Sequence, residues 1–263
     1  MITSTQNQRI KWFQQLEKSG TRRELQCFVV EGFREMNLAL RAGYSFVSVF
    51  FCKQLASADV LEFVEKLLAD SVEVLEVDNH VFAKLAYRES SDGIVGVARM
   101  RNLSLSDLRL NNNSLVLVLE AIEKPGNLGA ILRTADAASV DAIIIADVRT
   151  DVFNPNVVRS SVGTLFTNKL AVAASDEVYK FLKSHGFTVY AAALSAEHFY
   201  HQIDYCGNCA IVMGTEAWGL TEFWLNNCDE QIKIPMRGKI DSLNVSVSTA
   251  ILVFEAMRQR GFK

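Results

Sequence analysis

Two stretches near the middle of the chain, "LVLVLE" at 115–120 and "AIIIA" at 142–146, run apolar with almost no polar residue to alternate against. A strand with one wet face alternates. One that does not must be covered on both faces, which is the situation of a parallel sheet flanked by helices. Four more stretches, "KLAVAA", "TVYAAAL", "CAIVMG" and "QIKIPM", repeat the pattern with helical segments between them. The second part of the chain therefore reads as α/β with a parallel sheet. Its last helix places Leu243, Val247, Ala250, Ile251 and Phe254 at helical spacing, which predicts one buried stripe.

A smaller alternation precedes it. In "CFVVEGFREMNLALRAGYSFVSVFFC" a strand at 27–30 leads to a helix with Met36, Leu40 and Ala39 on one face. Gly43 stops that helix and a strand at 46–51 follows, a βαβ-like unit. A helix over 60–68, the strand "VEVLEV", and a turn with a closing strand in "SSDGIVGVAR" continue it. The polar "MRNLSLSDLRLNNN" reads as a linker. The expected division is 1–100, a linker at 101–113, and 114–263, two cores in a chain of 263 residues.

Composition narrows the function. With 49% hydrophobic residues the chain folds into packed cores, and a net charge of −3 gives no whole-molecule pull towards a polyanion. An RNA partner would have to meet a local patch. The first 26 residues offer Arg9, Lys11, Lys18, Arg22 and Arg23 against Glu17 and Glu24; a solvated helical face is the other reading. No run approaches the roughly 18 apolar residues of a membrane span, and the N-terminus lacks an apolar leader, so the expected location is the cytoplasm. Cys27, Cys52, Cys206, Cys209 and Cys228 are odd in number and scattered, and read as reduced, buried thiols. His198, His201, Cys206 and Cys209 cluster, but the pairs lie too close for a zinc finger, and no helix follows the Cys-x-x-Cys as in a redox motif. No metal is expected.

Three turns at strand ends carry the chemistry, because ligands of open α/β sheets collect at carboxyl ends. "EKPGNLGAILRTAD" is neither a dinucleotide fingerprint nor a P-loop. Propensity makes Asn127 a helix N-cap. Arg133, among Ile131, Leu132, Ala135 and Ala138, needs an anion or open solvent. In "VMGTEAWGL", Gly214 and Gly219 bracket Glu216 and let backbone approach a ligand closely. In "IPMRGKIDSLNVSVSTA", Pro235 ends a strand and Asp241, Ser242, Asn244, Ser246 and Ser248 crowd a helix start. Capping accounts for one or two of these; a polar ligand accounts for the rest. A fourth stretch, "VFNPNVVRSSVGTLF", starts a helix at Asn154–Pro155 and sets Arg159 towards an RNA phosphate or towards solvent.

In this order, Glu120 with "PGNLGAILRTA", then "MGTEAWGL" and "IPMRGKIDSLNVSVSTAILVFEA", the turns resemble the three motifs of the SpoU/TrmH-type RNA ribose methyltransferases of the SPOUT superfamily. The resemblance covers 114 to about 260. "FVVEGFREMNLALRAG" with "VSVFF" is similar to the L30e-like substrate-binding domain that precedes many members. Lys124 departs from the family, which commonly has aspartate before the proline.

The resemblance implies a C-terminal parallel-sheet domain with a deep trefoil knot, a smaller N-terminal α/β L30e-like domain, a homodimer, and S-adenosylmethionine as cofactor. It implies cofactor contacts at Gly214, Ile234 and Leu243, largely through backbone, and catalytic positions at Asn127, Arg133, Glu216, Ser242 and Asn244. The implied reaction is methylation of a ribose 2′-hydroxyl in RNA, ribosomal RNA ahead of transfer RNA. No histidine lies in the three motifs, and an arginine stays protonated, so Arg133 is expected to pair with a phosphate and polarise the 2′-oxygen. Two readings from other classes stand beside it. A non-catalytic RNA-binding or ribosome-associated protein would keep the fold but not this full set of polar residues. A nucleotide-dependent oxidoreductase would need the absent glycine fingerprint.

Overall fold

The computed structural model describes residues 1–87 and 91–262. The chain divides into two compact units, Met1–Arg101 with Val152–Thr167, and Asn102–Asp151 with Asn168–Lys263.

In the first unit, α1 (Gln8–Gln15) and α2 (Ser19–Leu25) precede β1 (Cys27–Glu31), α3 (Phe33–Arg41), β2 (Phe46–Phe51), α4 (Ala58–Ala69), β3 (Glu73–Glu76), α5 (Asn79–Phe82) and β4 (Ile94–Arg99). The sheet order is β1-β4-β2-β3, with β4 antiparallel to both neighbours and β2 parallel to β3. Gly43, at φ +82°, turns the chain just beyond α3, where the sequence sets the stop. A methyl at Gly96 would lie 2.7 Å from Met36 and 2.8 Å from Phe46, so that glycine is what lets α3 sit down on β4. The expected helix over 60–68 is longer by two residues at its start, because the Ser57 side chain accepts from the Val60 N–H and caps it there. The closing strand begins at Ile94, and Ser90 of the stretch assigned to its turn lies outside the described residues.

The basic N-terminal segment is less of an RNA face than its charge implies. Arg22 is buried and its guanidinium donates to the carbonyls of Leu16 and Glu17 at 2.8 and 2.7 Å. Arg9 pairs with Glu73 at 2.5 Å.

The second unit opens with β5 (Leu115–Glu120), α6 (Pro125–Ala137) and β6 (Ala142–Ala146). The chain then enters the first unit as α7 (Pro155–Ser161) and α8 (Thr164–Thr167). Asn154 caps α7 as expected, accepting from the Asn156 N–H, and Phe153 and Phe166 lie 4.5 and 6.2 Å from the Phe28 ring. The chain returns as β7 (Leu170–Ala173), α9 (Ser175–Ser184), β8 (Thr188–Ala192), β9 (His198–Phe199), β10 (Cys209–Met213), α10 (Glu222–Asn227), β11 (Glu230–Lys233) and α11 (Val245–Gln259). The seven strands lie in the order β7-β6-β5-β10-β8-β11-β9 and every pair is parallel.

β5, β6 and β10 are buried along their whole lengths, as unalternating runs require. Val116, Val118, Ile144, Val189 and Val212 share a core with Leu182 of α9 and Trp224 of α10. α11 packs on α6 and on β10. Leu108 belongs to the same core, and the Leu103 carbonyl accepts from the Val172 N–H at 2.8 Å, so the stretch assigned as linker is, from Asn102 on, fixed to the second unit.

Two expectations are corrected here. The stripe assigned to the last helix faces outward: Val247 and Phe254 are 48% and 41% exposed, Leu243 lies before the helix and is exposed, and Ala250 and Ile251 are half-buried. Val245, Thr249, Leu252, Val253, Ala256 and Met257 are buried instead. α11 is apolar on two faces, and spacing alone does not say which is inward. Thr249 hid the answer: its hydroxyl donates to the Val245 carbonyl at 2.7 Å, so a polar residue sits in the core fully satisfied. Of the cysteines, Cys206 is exposed and Cys228 half-buried, whereas Cys27, Cys52 and Cys209 are buried. Burial pushes the Cys209 thiol up to about 11 while Arg260, 3.3 Å from its sulfur, pulls it down. His198 Nδ1 contacts the Glu230 carboxylate.

Candidate active site

Three connections leave the carboxyl ends of adjacent or near-adjacent strands and meet: β5 into α6, β10 into α10, and β11 into α11. Each is shaped by a local rule. Pro125 occupies the first position of α6, where its missing N–H is no loss and its fixed φ suits the helix. That moves the helix start to Lys124, so Asn127 is the third helical residue and not the cap expected of it. Its side chain is thereby released for other work.

The loop after β10 closes on itself. Thr215 and Gly219 exchange backbone hydrogen bonds at 2.9 and 3.1 Å, and the Trp218 N–H donates to Thr215 Oγ1 at 3.0 Å. Gly219 is at φ +70°, and a methyl on Gly214 would lie 2.2 Å from the Gly219 carbonyl carbon. The glycines are required by backbone meeting backbone. The far end of the loop is anchored by Glu120, buried at the end of β5, whose carboxylate accepts from the Thr221 N–H at 2.9 Å and from its hydroxyl at 2.6 Å. Thr221 is the N-cap of α10, so this carboxylate also faces the positive end of that helix.

The connection from β11 ends at Asn244, the N-cap of α11. Its Oδ1 accepts from the Ser246 N–H at 2.9 Å and from the Ser246 hydroxyl at 2.6 Å. Its Nδ2 donates to Asn127 Oδ1 at 3.2 Å, and Asn127 Nδ2 donates to Glu216 Oε1 at 2.5 Å. One string, Asn244–Asn127–Glu216, thus joins the three connections. The other carboxylate oxygen, Glu216 Oε2, is buried with no hydrogen-bond partner among the described residues.

Beside the string is a cavity of about 550 Å3, of a size that holds a small-molecule ligand. Its walls come from 192–195 at the end of β8, from 213–220, from 232–234 with Met236, from 241–243 and from α11. Gly214, Ile234 and Leu243 line it, as do Glu216 and Ser242. Ser242 Oγ also donates to Asp241 Oδ1 at 3.2 Å. Arg133 joins neither the string nor the cavity wall. It is exposed six residues, about 9 Å, along α6 from Asn127, with no hydrogen bond or ion pair among the described residues. Lys124 is exposed as the N-cap position of α6 and contributes no side-chain cap.

Sequence reasoning overlooked the wall after β8, although "TVYAAAL" ends at a carboxyl end like the others. It gave Glu120 no role, since an acid at a strand end looks like any turn residue until its partner is known. It also passed over Trp218, a residue of the cavity lining that is 89% exposed.

An apolar, backbone-rich wall with one orphaned buried carboxylate oxygen fits a ligand that is part apolar and part cationic or hydrogen-bond donating. S-Adenosylmethionine, a sulfonium with an adenine to be held by backbone, is of that kind.

Comparison with known proteins finds two family matches along the chain. Residues 114–254 match the SpoU rRNA methylase family, and residues 7–96 match the MRM3-like substrate binding domain. The 23S rRNA (guanosine(2553)-2′-O)-methyltransferase RlmP of Bacillus subtilis is 29% identical over 96% of this chain and 97% of its own. The 23S rRNA (guanosine-2′-O-)-methyltransferase RlmB of Salmonella typhimurium is 33% identical over 84% and 93%. The crystal structure of an AdoMet-bound rRNA methyltransferase from Sinorhizobium meliloti superposes with a TM-score of 0.90 at 30% identity, covering 98% of this chain and 97% of that one.

Proposed function

From a chain that belongs to the SpoU rRNA methylase family, we propose a ribose methyltransferase whose reaction is carried by the string Asn244–Asn127–Glu216 beside the cavity. The enzyme transfers a methyl group from S-adenosylmethionine to a ribose 2′-hydroxyl of ribosomal RNA. The observation that carries the assignment of the site is the convergence of three connections on one hydrogen-bonded string at the cavity's edge.

The proposed roles are these. Gly214, Ile234 and Leu243 hold the cofactor, which supplies an already activated methyl on sulfur. What remains is to hold the 2′-oxygen in line with it and to manage one proton. Asn127 and Asn244 fix the Glu216 carboxylate by a chain of amides, leaving Oε2 to accept a hydrogen bond from the ribose or the cofactor. Ser242 orients substrate at the rim. Arg133, exposed, outside the cavity wall and without a side-chain hydrogen bond or ion pair among the described residues, pairs with an RNA phosphate.

The proposal extends to the whole chain. The first unit grips the RNA. The second is threaded as a deep trefoil knot. The chain works as a homodimer through the outward stripe of α11, in the cytoplasm and without a metal. Incubation of the protein with methyl-labelled S-adenosylmethionine and unmodified ribosomal RNA tests it. Label passes to RNA with wild-type protein and slows strongly with Arg133→Ala in single-turnover conditions, with cofactor affinity unchanged. Transfer at the wild-type rate by Arg133→Ala removes that residue's role. Absence of transfer by wild-type protein removes the reading and leaves the non-catalytic RNA-binding alternative.

A further inference from the structure

Trp218 is the most exposed large apolar side chain among the described residues, at 89%. Nothing in the folding of the second unit asks for it. The loop that bears it is closed by the Thr215–Gly219 backbone pair and anchored by Glu120 through Thr221, none of which uses the indole. An aromatic side chain of this size gains most by covering its face, and this one is left bare on a braced loop in the lining of the ligand cavity.

Its position says which kind. Trp218 lines the same cavity as Gly214, Glu216 and Ser242, with Glu216 two residues before it. A nucleotide that brings its 2′-oxygen to this cavity carries a base within one nucleotide's length of the ring. To reach the donor, that nucleotide leaves its stack and loses the stacking energy of its base. An indole at the rim restores it. The residues on either side of it in sequence, Ala217 and Gly219, carry no hydrogen-bonding side chain. The ring itself recognises a base face, and stacking is tolerant of base identity.

We infer that Trp218 forms a base-stacking subsite at the mouth of the cavity, holding the nucleobase of the RNA nucleotide whose ribose is methylated, or of its immediate neighbour. The inference rests on the methyltransferase reading above. The Thr215–Gly219 closure and the Trp218 N–H bond to Thr215 set the backbone beneath the ring before RNA arrives, so little ordering is left for binding.

Full-length wild-type, Trp218→Phe and Trp218→Ala proteins test this with labelled S-adenosylmethionine and unmodified ribosomal RNA. Trp218→Ala raises the KM for RNA about tenfold or more, with cofactor affinity by calorimetry unchanged, and Trp218→Phe recovers most of the loss. Fluorescence gives a readout that a merely structural role would not move. Of the three tryptophans, Trp224 is buried and Trp12 half-buried, so the difference between wild type and Trp218→Phe reports the exposed ring. That difference signal is open to acrylamide in the free protein, is quenched by RNA, and is unmoved by S-adenosylmethionine alone. An unchanged KM in Trp218→Ala overturns the inference. So does quenching by the cofactor alone, which assigns the ring to the cofactor. So does protection from acrylamide without RNA that vanishes on dilution, which assigns it to a second copy of the chain. If wild-type protein transfers no label, the parent reading falls and this one with it; if wild type is active and Trp218→Ala is indistinguishable from it, this inference alone falls.

Discussion

At the head of α11 one amide serves two structures. Asn244 Oδ1 caps the helix while Nδ2 reaches Asn127, and the two ends can be separated by substitution. Aspartate keeps the accepting oxygen and loses the donor; alanine loses both. Asn244→Asp is therefore expected to keep the wild-type melting temperature closely while methyl transfer falls at least tenfold. Asn244→Ala is expected to lose activity and about 1 kcal/mol of stability, the usual cost of an N-cap. Thermal denaturation beside single-turnover assays reads both, and equal stability loss in the two variants would contradict the division. At the same scale, Asn127 shows where residue-level propensity misleads. Its type favours a cap, but Pro125 starts the helix three residues earlier than that cap would and leaves Asn127 free to reach Glu216. Nothing in the local sequence ranks a proline's first-turn preference against an asparagine's capping preference at such short range.

Among the elements, the loop from β10 to α10 is the most tightly determined. Gly214 stands where a side chain would strike the Gly219 backbone at 2.2 to 2.4 Å, and backbone cannot give way as a flexible side chain can. Gly214→Ala is expected to open the Thr215–Gly219 closure, reduce S-adenosylmethionine affinity more than tenfold by calorimetry, and leave the far-UV circular dichroism unchanged. Wild-type affinity in that variant would mean the loop does not shape the cavity. The strands themselves were legible from sequence because burial on both faces removes alternation, and β5, β6 and β10 are buried throughout. The facing of α11 was not legible. Two apolar stripes compete on one helix, and the decision falls to a threonine that satisfies its hydroxyl internally. The excursion of 152–167 into the first unit was also hidden, since Phe153 and Phe166 find Phe28 only once the tertiary structure exists.

For the molecule as a whole, the outward stripe of α11 is apolar surface that a single chain leaves uncovered. Val247 and Phe254, with Ala250 and Ile251 half-buried between them, lie on the face turned away from the core. In the homodimer proposed above this stripe is covered. Val247→Lys with Phe254→Lys is expected to give a folded monomer by light scattering, where wild type is a dimer, because both side chains already face water in the single chain. A dimeric double variant would move the interface elsewhere.

The reaction rests on one chemical claim, that the methyl group goes to a ribose oxygen and not to a base. Ribosomal RNA labelled by the enzyme from S-adenosylmethionine, then hydrolysed in alkali, tests it directly. Alkaline cleavage needs a free 2′-hydroxyl, so a methylated ribose leaves its 3′ phosphodiester bond intact. The label is expected in an alkali-stable dinucleotide. Label recovered entirely in mononucleotides, as a methylated base, would contradict the account.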